Sequence, residues 1–197
     1  MQEHWRERYR SGHTPWDTGK PDLNLIRTVT ERPIQSCKTL EIGCGTGNNA
    51  LWLVQQGFVV TAIDITEEAI IAGKDKSSEV GIDVQFAVVD FMAEEVPDWP
   101  FEFIFDRGCF HSYRTDDERR LFAEKVAICL EPEGLWLSLI GSTDGPPHEV
   151  GPPQHSARDV VVAVEPSFEI LSLISSHFDS LHPQPPRCWI CLMKKRT

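Results

Sequence analysis

Three glycines at alternate positions, Gly43, Gly45 and Gly47, close a short apolar segment, Lys38-Thr-Leu-Glu-Ile42. They open a stretch with apolar residues at helical spacing, Ala50, Leu51, Leu53 and Val54. A strand that runs through a glycine turn into a helix is the opening of a βαβ unit. The alternation continues down the chain. Strands are expected at 58–63, 84–89, 101–105 and 135–140, and the first three run into Asp64, Asp90 and Asp106. Helices are expected at 22–30, from the N-cap Thr66 onward, at 115–130 behind the N-cap Thr115, and near 156–164. Two further strands follow near 168–176 and 187–193 with no helix between them, so they should pair antiparallel at one edge. The strands are almost continuously apolar, as strands buried on both faces must be. The expected fold is therefore α/β, a doubly wound, mostly parallel seven-stranded sheet with an antiparallel edge strand, and 197 residues suit one domain, 1–197.

In an open sheet of this kind, ligands bind outside the carboxyl ends of the strands. A single aspartate there is equally a helix cap, but a glycine turn with three acids at successive strand ends is hard to obtain from capping alone. The spacing also separates ligands. A dinucleotide turn is G-x-G-x-x-G, whereas here Asn48 stands where its last glycine belongs and Gly47 comes one position early. The segment Glu41-Ile-Gly43-Cys44-Gly45-Thr-Gly47 lets backbone approach a ligand that carries no phosphate. Asp64 lies 64 − 43 = 21 residues after the first glycine, at the next strand end. There a carboxylate can accept from both ribose hydroxyls, at about 1.5–3 kcal/mol for each such charge-assisted bond. Asp90 can accept from an adenine amino group, with Ile65 and Phe91 as apolar walls. These features describe an adenosine without phosphates. S-adenosyl-L-methionine fits, and its sulfonium favours acidic surroundings.

Composition narrows the partners. The charge balance is 19 − 30 = −11, which disfavours a nucleic-acid partner because phosphates call for a cationic face. No apolar run approaches the roughly 18 residues of a membrane span, and the charged N-terminus does not read as a secretory signal. Six cysteines in a chain of this length suit reduced thiols in the cytoplasm better than a disulfide scaffold. Cys188 and Cys191 are spelled C-x-x-C, but in a strand they face opposite sides and no second pair exists, so no metal is expected.

Over nearly its whole length the chain resembles the class I S-adenosylmethionine-dependent methyltransferases, with Leu40-Glu-Ile-Gly-Cys-Gly-Thr-Gly47 as their first motif. Within them it is most similar to the thiopurine S-methyltransferase and thiol/halide methyltransferase group. The residues that carry this are Trp5, Tyr9, Gly12-His-Thr-Pro-Trp-Asp-Thr-Gly-Lys20, Phe105-Asp-Arg-Gly-Cys-Phe110 and Ser142-Thr-Asp-Gly-Pro-Pro147. The resemblance implies a Rossmann-like methyltransferase fold, S-adenosyl-L-methionine as cofactor and S-adenosyl-L-homocysteine as product. It implies that residues 1–30 cover the cofactor with Trp5, Tyr9 and Trp16. Glu41, Gly43, Cys44, Gly45, Gly47, Asp64, Ile65, Asp90, Phe91, Asp106 and Arg107 would then contact it. An aromatic N-terminus could also cap a sulfonium by cation–π attraction; a helix packed on the sheet is the plain alternative.

Methyl transfer from a sulfonium is an in-line displacement, so the enzyme must orient the acceptor and exclude water. A thiolate needs no base, whereas a hydroxyl or amine does. After the fourth strand, His111 and Tyr113 are candidate bases or acceptor positioners, and Cys109 reads as a small lining residue. Arg107, His111 and Arg158 are candidate contacts to a small-molecule methyl acceptor, thiol, halide, metalloid oxyanion, hydroxyl or amine. The Gly/Pro-rich loop 141–153, with His148 and the adjoining His155, reads as a lid. A nicotinamide-dependent oxidoreductase and a non-catalytic binding module are the competing readings. Oligomeric state is not legible.

Overall fold

A computed structural model describes every residue except 1, 33, 147–152 and 182. The chain groups into two compact units, Met1–Asp98 with Asp179–Pro183, and Trp99–Phe178 with Gln184–Thr197.

The first unit holds α1 (Gln2–Arg10), α2 (Leu23–Glu31), β1 (Lys38–Ile42), α3 (Asn48–Gln55), β2 (Val59–Asp64), α4 (Glu67–Val80) and β3 (Gln85–Val88). Its strands pair in parallel in the order β3-β2-β1. Register places Ile42 opposite Ile63 and Asp64 opposite Val88, so the three strand ends lie side by side. Leu40, Ala50, Leu53, Ala62 and Ala69 are fully buried, which is where the apolar runs of the sequence go. Asp22 caps α2 by accepting from Asn24 N–H at 2.8 Å. α4 starts behind Thr66, as expected, but the Thr66 hydroxyl does not cap it; it donates instead to Asp64 Oδ1 at 2.8 Å. α1 is a helix with no buried residue, in a segment whose sequence shows no apolar face.

The second unit holds β4 (Phe101–Arg107), a 3-10 turn (Phe110–Ser112), α5 (Asp116–Cys129), β5 (Leu130–Gly141), α6 (Ala157–Val164), β6 (Phe168–His177) and β7 (Arg187–Lys195). The order is β4-β5-β7-β6, with β4 and β5 parallel. β7 runs antiparallel to both neighbours, so the antiparallel strand sits one in from the edge and β6 is the edge. Capping boxes at Thr115/Glu118 and Ser156/Asp159 start α5 and α6. β5 begins five residues before the apolar run at 135–140, because a register shift between Phe101 and Phe103 absorbs the turn at Glu133, whose φ is 64°. The core here is aromatic: Phe110 meets Trp136 and Phe122 edge-on at 5.6 and 5.8 Å, and Trp136 meets Phe168 at 5.2 Å. The seven strands are those of a Rossmann-like, mostly parallel α/β fold.

Candidate active site

The glycine turn joins β1 to α3. Gly45 and Gly47 have φ of 56° and 78°, a region that side chains with a Cβ enter at a cost. Space excludes side chains as well. A Cβ on Gly45 would lie 2.9 Å from the Tyr9 hydroxyl, and one on Gly47 would lie 2.6 Å from Phe86 Cζ. Gly43 is exposed, so backbone remains accessible at the head of the turn. Asp64 reaches into this turn from β2. Its Oδ2 accepts from Gly45 N–H at 2.9 Å and its Oδ1 from the Thr66 N–H and hydroxyl. Burial raises its pKa, and the hydrogen bonds from Thr66 and Gly45 oppose that shift.

Much of the rest of the β1 end is buried. Glu41 is buried and accepts from Asn49 Nδ2 at 2.9 Å, and Asn49 Oδ1 accepts from Asp22 N–H at 2.9 Å, which ties α3 to the start of α2. Burial, with the charges of Asp64 and Glu41, pushes the Cys44 thiol well up and keeps it protonated. At the end of β3, Asp90 is half-buried and accepts from Met92 and Ala93 N–H at 3.0 and 3.2 Å, while Phe91 is buried.

The N-terminal aromatics meet over the glycine turn. Trp16 stands edge-on to Trp5 at 5.3 Å and to Tyr9 at 6.2 Å, with the Arg8 guanidinium 5.2 Å from a Trp16 ring. Burial, then the charge of Asp64, raises the Tyr9 phenol above its ordinary range, so it stays neutral. α1 is fastened to the start of α4: Gln2 Nε2 donates to Ile65 O at 3.0 Å and Arg10 donates to Glu68 at 2.7 Å. Residues 14–20 are fastened by Asp17, which accepts from Thr46 Oγ1 at 2.6 Å and Asn48 Nδ2 at 2.7 Å.

In the second unit the loop after β4 is held by its own aspartate. Asp106 is fully buried. Oδ1 accepts from Cys109 and Phe110 N–H at 3.1 and 3.0 Å, and Oδ2 from the Trp136 indole at 2.9 Å. Burial raises its pKa to about 6. The carboxylate thus caps the loop that follows it, inside the aromatic core. Arg107 is half-buried, its guanidinium 5.1 Å from the Phe178 ring. His111 is buried, and its Nδ1 accepts from Gly141 N–H at 2.9 Å. That bond leaves the proton on Nε2, so this imidazole is built to donate. His155 Nε2 in turn donates to His111 O at 3.0 Å, and Trp189 Nε1 donates to His155 O at 3.0 Å. Tyr113 packs its ring on Phe122 at 5.2 Å. Arg158 is exposed on the first turn of α6, with no ion pair shown among the described residues. Residues 147–152 of the loop 141–153, including His148, lie outside the described residues; the loop's neck is closed by a bridge between Ser142 and His155.

The chain is similar to known proteins. A methyltransferase domain family matches residues 39–134. An uncharacterized methyltransferase of Schizosaccharomyces pombe is 32% identical over 105 residues, covering 53% of this chain and 72% of the relative. The chain is a class I S-adenosylmethionine-dependent methyltransferase. The enzyme is also similar to a probable thiol methyltransferase 2 of Arabidopsis thaliana, at 27% identity over 180 residues, 87% of this chain and 76% of that one. Its fold matches the 1,6-didemethyltoxoflavin-N1-methyltransferase of Burkholderia thailandensis, solved with S-adenosylhomocysteine, with a TM-score of 0.80 at 15% identity over 100% and 87% of the two chains. The nicotinamide alternative is thereby set aside. Among the described residues of the methyltransferase, no helix is long and apolar enough to cross a membrane.

Several groups of the first unit show little sign of their role in the sequence. Asp17 stands there as one letter of a motif. Thr46 and Asn48 read as spacers of the turn, yet both use their side chains. Lys76 of α4, whose Nζ lies 2.5 Å from Thr46 Oγ1 and 2.9 Å from Asn48 Oδ1, carries no signal: it is one lysine in the polar run Lys74-Asp75-Lys76.

Proposed function

We propose that the methyltransferase alkylates a small-molecule thiol or a similarly soft nucleophile. The observation that carries this reading is the state of His111. Its Nδ1 lone pair is taken by the Gly141 amide, so the imidazole in the loop after β4 holds a proton to donate and cannot receive one without losing that bond. An acceptor that must be deprotonated is poorly served there. A thiol that ionises near neutral pH arrives ready to react. The likeness to a probable thiol methyltransferase supports the same choice.

The first unit fits the cofactor. Exposed Gly43 leaves backbone open, Asp64 would take the ribose hydroxyls, Asp90 the adenine amine, and Ile65 and Phe91 would flank the ring. Tyr9, Trp5 and Trp16 would cover it. When bound, S-adenosylmethionine supplies the electrophilic methyl group on its sulfonium. On the acceptor side, His111 Nε2 and the Arg107 guanidinium would orient an anionic nucleophile and stabilise its charge until bond formation.

The test is turnover with a panel of thiols, halides, hydroxyls and amines of graded pKa, with products weighed by mass spectrometry. Thiols should dominate, and kcat/KM should rise with pH along each thiol's own ionisation. A preference for hydroxyl or amine acceptors, or one enzyme-derived pKa common to all thiols, would overturn the assignment.

A further inference from the structure

Four side chains from three separate stretches of the first unit close into a ring of hydrogen bonds beside the glycine turn. Lys76 Nζ donates to Thr46 Oγ1 at 2.5 Å and to Asn48 Oδ1 at 2.9 Å. Thr46 Oγ1 donates to Asp17 Oδ2 at 2.6 Å, and Asn48 Nδ2 donates to Asp17 Oδ1 at 2.7 Å. The two charges occupy opposite corners, 3.9 Å apart at nearest approach, and the two neutral groups bridge them. Every donor meets an acceptor around the ring, so each bond polarises the next. Both charged side chains are partly shielded, at 35% and 18% exposure, which leaves the ring less screened than a surface pair.

What the ring joins is specific. Thr46 and Asn48 belong to the glycine turn, Lys76 to the third turn of α4, and Asp17 to the segment between α1 and α2. Local bonds stiffen Asp17. Its N–H donates to Thr14 O at 2.9 Å, and its Oδ1 also accepts from Gly19 N–H at 3.1 Å. The adjoining residue, Trp16, carries the aromatic cluster with Trp5 and Tyr9. A second anchor holds the same segment, since Leu181 N–H donates to Pro15 O at 3.3 Å and Leu23 N–H donates to Asp179 Oδ2 at 2.6 Å. No residue of α1 is fully buried, and beside the Gln2–Ile65 bond its ties to α4 are partly exposed ion pairs, which hold weakly.

We propose that Asp17 and Lys76 are positioning residues that latch the N-terminal segment onto the glycine turn and so set the rate at which the cofactor product leaves. The proposal rests on the reading of residues 1–30 as the cofactor cover, and adds to it the lock and its consequence. With the ring closed, Trp16 and Tyr9 are held at the turn. With Asp17 or Lys76 neutralised, two charge-assisted bonds at that corner weaken together, and the segment opens more often.

The experiment uses the full chain with S-adenosylhomocysteine as probe. Stopped-flow tryptophan fluorescence reads association and dissociation separately, and hydrogen exchange of residues 2–20 in the bound state reads opening. Lys76→Met keeps the aliphatic stem and is partly exposed, so it guards against loss of fold; Asp17→Asn removes the opposite charge, and Lys76→Arg restores it at Lys76. Each neutral variant should raise the dissociation rate about 10-fold or more, the scale of one or two charge-assisted hydrogen bonds. Association should change little, bound-state protection of residues 2–20 should fall, and the double variant should add little to the larger single effect. Lys76→Arg should stay near wild type. Unchanged dissociation in both neutral variants, with tight binding retained, would overturn the latch alone. Failure of the wild-type chain to bind S-adenosylhomocysteine would overturn the cover reading and the latch with it.

Discussion

Asp64 closes β2 in the first unit and Asp106 stands near the end of β4 in the second. Both are buried acids followed by a turn, and burial raises the pKa of each. Their surroundings differ. Asp64 accepts from Gly45, 19 positions back in the chain, and lies under a turn whose first glycine is open to solvent. Asp106 accepts from its own next turn and from an indole, with no exposure at all. The first carboxylate joins two strand ends into a platform. The second is used up in shaping one loop. The same residue type at two strand ends thus stands in two settings, one beside an open surface and one enclosed, which is why Asp64 is the one proposed to hold the ribose.

The widest separation between the two regions should come from the platform's backbone. Gly47→Ala places a Cβ 2.6 Å from Phe86 Cζ at a φ of 78°. Strain and overpacking together should cost about 2–5 kcal/mol in urea unfolding. A loss under about 1 kcal/mol would mean that the turn is not the rigid element described. Next comes Asp64→Ala, which should weaken S-adenosylhomocysteine binding by roughly 10–100-fold in titration calorimetry, from the loss of about 1.5–3 kcal/mol. The KM for the acceptor should not move. Equal weakening of both would erase the division of labour.

These two effects fall on features that the sequence displays, and the reason is locality. Glycine spacing and strand-end acids are set by the backbone within a few residues, so the turn, Asp64 and the order of strands and helices could be read directly. α1 could not be read, since it has no apolar face and depends on Ile65 and Glu68, more than 50 positions away. Lys76 looks like any solvated lysine until the fold brings Asp17 and Asn48 to it. The setting of Asp106 was hidden for the opposite reason: as a letter after a strand it is indistinguishable from Asp64, and only the fold shows the aromatic packing around it. The alternation of strands placed β7 antiparallel but could not say that it would slip between β5 and β6.

On the acceptor side the expected effects are smaller. His111→Ala should lower kcat/KM for a thiol by about 10-fold, the loss of one donor to a charged group. Affinity for S-adenosylhomocysteine should stay within about 2-fold, the mark of a residue serving only the acceptor. The buried Gly141 amide would also lose its partner, costing about 1–3 kcal/mol of stability. His111→Asn, which keeps an acceptor near that amide, should recover part of the stability but not the rate. Full recovery of both would reduce His111 to a loop brace.

The finest distinction is in pH. Asp106 has a folded pKa of about 6 against an ordinary 3.8. Between those values the folded chain holds a proton that the unfolded chain has released. Its contribution to stability is therefore complete below about pH 4 and is lost as pH rises through about 6. Asp106→Asn carries no charge at any pH, so it lacks this slope. Its amide group must also turn an N–H either toward the Trp136 indole or toward the Cys109 and Phe110 amides, all of which need an acceptor. The variant should accordingly be less stable than wild type at pH 4.5, and the gap should narrow by pH 7.5. Taking the difference between the two proteins at each pH cancels the slopes of every other acid. A gap that stays constant across this window would mean that Asp106 titrates normally. The contrast with Asp64 would then lie in geometry alone.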